Sequence, residues 1–553
     1  MANGDPGSSN PLSSPSELIN RKAGIAANVV NTLEVSCDPH EDNSALWFQG
    51  SVNSTDMPPS PPPIRKGNLV TSLVNGEETF ASMFAAIQTA NANGHFIYML
   101  NWWSDLTVSL VFGNPNLGAL LSSAVAAGVQ VRAMLWDQAN LPRFSLLPQF
   151  WPDPSAFQQN TAQVTQINAI TPHPSIKDAN GGAILDNNTL AVGSHHQKIL
   201  VVNGSSGLIG FCGGVDFNPD RIHHLDRQPG SPMHDVHCRI QGTAAWDLLN
   251  IFLQRWSDHP SSAAIDSAKG ALRGDTVGLP LPPDPGTQYV QIGRTFGNGS
   301  GHISGSGVVG IKSKSGNGWY SWAPNGEQTA QGIIFHAIEQ AKKFIYIQDQ
   351  YLISMDASNK LKAQLPNIDR LIILIPHPNL SDLPNVWCRQ KAFLDNLGYD
   401  ASAVLTDKKY KILVRYLKPL GAAPGPPDSG SVLTYVHSKI WIMDDRFAVI
   451  GSANCNNRGY NHDSEVVAGI YDESQDTPCT MHFAHALRIR LWAWHLSMSP
   501  AALFDPGADS HWMYPFVSSR IATFDQNAGQ DPLVGMAPTP NTGIGPLTDP
   551  FGG

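Results

Sequence analysis

Charge is scarce in this 553-residue chain: 14% of residues are Asp, Glu, Lys or Arg, and the formal net charge is −10. No block or stripe of Lys and Arg stands out, which argues against DNA or RNA as the main partner, because such binders carry a basic footprint. Cysteine is sparse as well. Cys37, Cys212, Cys238, Cys388, Cys455 and Cys479 fall at no metal-finger or redox-motif spacing,, a usage that fits free thiols in a reducing compartment. Long apolar runs are missing too. No stretch approaches the ~20 apolar residues of a membrane span, and the opening MANGDPGSSNPLSSPSELINRK has no apolar core for a signal peptide,. A soluble cytoplasmic protein is expected, one that meets a bilayer from its surface, with a signal-peptide-independent export route left open.

What the chain does have is 42% apolar residues, enough for several cores,, and two copies of one short design. The first reads His196-Gln197-Lys198 and leads through an apolar run to Asn203, then Gly213-Gly214-Val215-Asp216. The second reads His437-Ser438-Lys439, an apolar run to Asp444, then Gly451-Ser452-Ala453-Asn454. In an extended strand, residues i and i+2 share a face, so each imidazole and ammonium project together while the apolar residues turn inward.

The segments around these motifs also repeat. Helical spacing from Gly76 (Phe80, Met83, Phe84, Ile87, Ala90) precedes the strand Phe96 to Leu100,. A helix from Leu117 stops at Gly128 and leads into the strand Val129 to Leu135; Ala244 to Trp256 reads as an amphipathic helix,. The pattern returns at Gly326-Glu327-Gln328-Thr329, with strands at Phe344 to Ile347 and Leu371 to Ile375, a helix from Val386 to Leu397 and a closing helix from Met481 to Leu496. The βαβ rhythm predicts an α/β protein of two similar α/β/α lobes with mostly parallel mixed sheets, packed with pseudo-twofold symmetry. The expected boundaries are a Pro/Ser-rich arm at 1–65, a first lobe at 66–257, a connection at 258–290, a second lobe at 291–500 and a Pro/Gly-rich tail at 501–553. Within the arm, Ala45-Leu46-Trp47-Phe48 is an apolar patch able to dock on the body. A monomer is expected.

If the two His-x-Lys segments meet at the lobe interface, two ammoniums cradle one phosphate or sulfate. One imidazole can attack phosphorus while the other protonates the leaving oxygen, since an unperturbed pKa of ~6.5 suits both tasks. Small residues at Gly213, Gly214 and Ser452 would let substrate approach closely. The chemistry calls for no metal and no cofactor.

These residues resemble the phospholipase D superfamily, whose signature is His-x-Lys-x4-Asp in each of two repeats. The resemblance runs from about residue 70 to 500. It includes Met233-His234-Asp235-Val236-His237, the helix ending Phe252-Leu253-Gln254-Arg255-Trp256, Ile345 to Tyr351, GSANCNNR at 451–458 and the helix Leu487 to Leu496, the last typical of true phospholipases. It implies a phospholipase D-like fold and hydrolysis of glycerophospholipids to phosphatidic acid, or transfer of the phosphatidyl group to an alcohol. His196 would be the nucleophile that becomes a phosphohistidine, and His437 the general acid. Lys198 and Lys439 would grip the phosphate, Asn454 and Asp216 would line its site, and Asp235 and Glu465 would orient the histidines. The partner implied is a phospholipid at a membrane surface. Asp444, and Asn203 where the family has Asp, would complete the catalytic set.

Other readings stay open. A nuclease or other phosphodiesterase would keep the chemistry and change the substrate; a weakened phospholipid-binding relative would exploit the charge lost at Asn203. His195, His223, His224, His234 and His237 lack Cys partners or helical i, i+4 placement, so hydrogen-bonded or solvated histidines are expected rather than metal ligands. Trp102, Trp103 and Tyr351 fit either a core or an acyl-chain entrance.

Overall fold

A computed structural model describes residues 44–49, 61–137, 154–189, 193–222, 233–274, 282–297, 320–324, 326–377, 380, 386–406, 410–418, 433–472, 481–504, 510–513 and 519–527. The arm before residue 44, His223, His224 and the tail from 528 lie outside the described residues.

The first half contributes β1 (Ile64–Val74), β2 (Phe96–Asn101), β3 (Gln130–Trp136), β4 (Gly181–Asp186), β5 (Ile199–Gly204), β6 (Gly207–Gly213), β7 (Met233–His234) and β8 (Val236–Gln241). The second contributes β9 (Gln288–Phe296), β10 (Glu327–Gln328), β11 (Phe344–Gln348), β12 (Arg370–Leu374), β13 (Ile412–Leu417), β14 (Tyr435–Val436), β15 (Ile440–Met443), β16 (Phe447–Gly451), β17 (Glu465–Asp472) and β18 (Ile521–Thr523). All but β7 and β14 join one sixteen-stranded sheet. Read outward from its middle, the first half runs β1-β8-β6-β5-β2-β3-β4 and the second β9-β17-β16-β15-β11-β12-β13. The two orders match strand for strand, so the chain repeat is a structural repeat. Its halves are joined by the antiparallel pairing of β1 with β9.

The mixed α/β sheet is as expected, but the balance of strand directions needs correction. Within the large sheet, parallel pairing is confined to β2-β3-β4 and β11-β12-β13, where helices make the crossovers. The rest of the large sheet is antiparallel, because each His-x-Lys strand turns straight back through a short hairpin, β5 into β6 and β15 into β16,.

Alternation along β2 divides the core. Ile97 and Met99 pack with the helices Asn75–Thr89 and Leu117–Ala126, while Phe96, Tyr98 and Leu100 face the helix Thr243–Asp258. The Tyr98 ring stacks on Phe252 at 4.6 Å. That second face is continuous with the core of the other half, so the lobes share an interior instead of merely touching. The apolar patch of the arm docks here: Trp47 stacks on Phe447 at 5.6 Å, Phe48 meets the same ring edge-on at 5.2 Å, and both are buried. Each such burial contributes roughly 1.5–3 kcal/mol. No helix among the described residues is long and apolar enough to cross a membrane.

Candidate active site

Both His-x-Lys segments lie in extended chain just before their strands, β5 and β15. Each is clamped by the opposite half. Strand β14 pairs in parallel with β7, and the His234 carbonyl accepts the backbone N–H of His437 at 2.8 Å. A matching parallel bridge joins His195 to Ser464, and the Ser464 carbonyl accepts the N–H of His196 at 3.0 Å. The residue after each clamp is a carboxylate. Asp235 Oδ2 lies 2.7 Å from His437 Nδ1, and Glu465 Oε1 lies 2.8 Å from His196 Nδ1. The two imidazole–carboxylate pairs are therefore crossed between the halves. With Nδ1 facing a carboxylate, the proton is held there and Nε2 is left for chemistry.

The lysines follow the same plan with one difference. Lys198 Nζ donates to the carbonyl of His196 at 3.1 Å, and Lys439 Nζ donates to that of His437. Lys198 also lies 3.3 Å from Asp216 Oδ2, whereas Lys439 donates to the neutral Gln350 Oε1 at 2.9 Å. Asn454, the counterpart of Asp216, is buried, and its Oδ1 has no hydrogen-bond partner among the described residues. Trp102 walls the first half. Its ring meets His196 edge-on at 6.1 Å and stacks on Trp136, and Lys198 Nζ lies 5.8 Å from its centroid.

Burial and crowded cations set the electrostatics. Burial first, then Lys198, Lys439 and His437, holds His196 well below the usual histidine range. Burial followed by Lys439, Arg221 and Lys198 does the same to His437. Each ring thus responds to charges from the opposite half, as it must if they share one pocket. Burial also lowers Lys439, to about 8, and pushes Glu465 up, helped by the neighbouring Asp463.

Several residues do something other than expected. Asp444 is not in the pocket. It follows the far end of β15, where its carboxylate accepts the backbone N–H groups of Lys342, Lys343 and Phe344 at 2.6, 2.8 and 2.8 Å. Asn203 occupies the matching place, half-buried and opposite Phe96. Four extended residues separate each from its lysine, on the order of 13–17 Å, so neither stands beside its lysine as the catalytic role expected of it would require, and Asp444 fastens backbone instead. Gly213 and Gly214 make room for the protein itself: a Cβ on Gly214 would lie 2.1 Å from Asp235 Oδ1, and one on Gly213 would strike His237. Ser452 donates to Glu465 Oε2, which makes it a support of the carboxylate rather than a substrate ligand. His195 lies 3.0 Å from Asp186, and His237 Nδ1 accepts the Val215 N–H at 3.3 Å.

Sequence reasoning did not assign Asp349, Gln350 or Arg221. Asp349 accepts the N–H groups of Tyr351, Leu352 and Cys455, tying the end of β11 to the turn that carries Asn454; burial raises it to about 6. The polar run Gln348-Asp349-Gln350 directly after an apolar strand was the available signal. Arg221, in a Pro219–Arg221 turn, carried none.

Two sequence-family profiles match the chain, one described as phospholipase D over residues 222–374 and one as cardiolipin synthase, PLD-like domain, over residues 334–487. Over residues 222–487 the chain is thus similar to the phospholipase D superfamily. Phospholipase D alpha 1 of Cynara cardunculus is 27% identical over 528 residues, covering 75% of this chain and 63% of the relative. Phospholipase D alpha 2 of Oryza sativa subsp. japonica is 26% identical over 534 residues with the same coverage. The chain thus spans 63% of the length of those curated relatives. Among solved structures, phosphatidylserine synthase of Haemophilus influenzae Rd KW20 aligns with a TM-score of 0.45 and 14% identity, covering 73% of this chain and 82% of that one.

Proposed function

We propose that this protein is a phosphodiesterase of the phospholipase D type that hydrolyses glycerophospholipids to phosphatidic acid and free head group. The observation that carries the reading is the crossed pairing of His196 with Glu465 and of His437 with Asp235, with Lys198 and Lys439 beside them. His196 Nε2 attacks phosphorus and forms an N–P bond. The bond from phosphorus to the head-group oxygen breaks, and His437 Nε2 gives that oxygen its proton. His437 then takes a proton from water, the water oxygen bonds to phosphorus, and the N–P bond breaks. An alcohol in place of water gives the transfer product. Burial, and after it the protein's own cations, favour neutral imidazoles. A bound phosphoryl anion offsets the lysine charges and raises the His437 pKa, so the acid is armed as substrate arrives.

The test is incubation of the purified chain with phosphatidylcholine vesicles and ethanol. Phosphatidic acid and phosphatidylethanol are expected from the native chain and neither from His196→Ala. Cleavage of DNA without any lipid product would overturn the reading.

A further inference from the structure

The two lysines have different second partners, and this asymmetry involves Arg221, a residue with no role so far. Asp216 is fully buried and has two tasks. Its Oδ1 accepts the backbone N–H groups of Trp102 and Trp103 at 3.1 and 3.2 Å, fixing the aromatic wall beside His196. Its Oδ2 is shared between two cations, Lys198 Nζ at 3.3 Å and Arg221 Nη2 at 3.5 Å. A buried carboxylate with a single ammonium partner would hold it in a tight pair, because removing either partner strands a charge. In the second half the problem does not arise, since Asn454 is neutral and Lys439 meets an amide.

We propose that Arg221 is a positioning residue that takes over Asp216, so that Lys198 is free to engage the phosphoryl group. This rests on the reading of the pocket as a phosphoryl site. The guanidinium suits the task, being a fixed fork that stays charged when buried. Burial works against that charge, yet Asp220, Asp216 and Asp235 together leave Arg221 above its ordinary value. The seat is also tight. A Cβ on Gly76 would lie 2.0 Å from the Arg221 carbonyl oxygen, so the start of the helix Asn75–Thr89 fixes the turn bearing Arg221. The adjacent Asn75 N–H donates to the Asp235 carbonyl at 2.8 Å. One corner of the fold thereby places both the guanidinium and the carboxylate that orients His437.

The test is calorimetric titration of the full-length chain with inorganic phosphate at neutral pH and low salt. Arg221→Gln is expected to bind on the order of tenfold more weakly than the native chain, and the double variant Asp216→Asn, Arg221→Gln to recover to within about threefold, the size of coupling seen between residues in one charge network. On an Asp216→Asn background, removing Arg221 is expected to change nothing; this comparison holds even if Arg221→Gln alone fails to fold. Overturning results are native-like phosphate binding by Arg221→Gln, a double variant as weak as the single, or no phosphate binding by the native chain at millimolar concentration. Phosphatidylcholine turnover is followed on the same samples. Absence of turnover with the phosphate ranking intact overturns the lipase reading and upholds the role of Arg221; turnover with the ranking lost does the reverse.

Discussion

Asp444 offers the sharpest separation between folding and chemistry. Its carboxylate gathers three backbone N–H groups from the segment Lys342 to Phe344, which leads into β11. Single hydrogen bonds to a charged group contribute about 1.5–3 kcal/mol. Three on one carboxylate at a partly open site do not add in full, so Asp444→Ala is expected to cost about 2–4 kcal/mol. Burial pushes this carboxyl above its usual range despite the three donors. Both oxygens accept, so Asp444→Asn keeps an acceptor for one side of the segment but sets its amide NH2 against a backbone N–H on the other, and is expected to cost about 1–3 kcal/mol,. The assay is a urea unfolding series on the three proteins, read by the shift in midpoint at constant slope. Turnover per folded molecule is measured alongside below the transition and is expected to stay within about twofold of native. A fall in kcat of tenfold or more in Asp444→Ala at native stability would refute the placement of this residue outside the chemistry.

Three further outcomes follow from the site. Asp235→Asn is expected to lose roughly a hundredfold or more in kcat on phosphatidylcholine but only a few-fold on a p-nitrophenyl phosphodiester, whose leaving group needs no proton, while Glu465→Gln loses comparably on both; equal losses for both variants would refute the division into acid and nucleophile. Lys439 is charged below about pH 8 and neutral above it, burial being the main cause, so kcat/KM is expected to fall as pH rises through that value. Lys439→Arg should move that alkaline limb upward, and an unmoved limb would remove Lys439 from it. Asn203→Asp is expected to leave activity equal or higher, because position 203 sits opposite Phe96 as Asp444 sits opposite Phe344; a large loss in the turnover assay would show that the asparagine is required.

Much of this architecture could be read from residue spacing. The helix from Val386 to Leu397 and the strand from Phe344 carry their periodicity openly, and both form where expected. The repeated His-x-Lys segments pointed to the residues around which the crossed imidazole–carboxylate pairs form, since imidazole and ammonium two residues apart on extended chain share a face,. The junction of the halves was not legible. Strands β1 and β9 flank stretches rich in Pro and Gly, and their pairing is a contact between residues over 200 positions apart, such as Ile64 with Gln291. Local pattern carries no record of such a partner. The direction of pairing was misjudged because a βαβ rhythm describes only the outer strands of each half, while the hairpins that follow Lys198 and Lys439 reverse the chain at once. Asp444 looked chemical because it belongs to the signature; only the backbone donors around it reveal a fastening.

The crossed pairs also constrain how the chain can change. A fragment ending before β9 would hold His196 without Glu465, and the complementary fragment would hold His437 without Asp235. Each piece keeps an imidazole deprived of the carboxylate that holds it. A substitution near Ser464 in the later repeat is felt by the imidazole of the earlier one, so the two copies, however far their sequences drift, must drift as one.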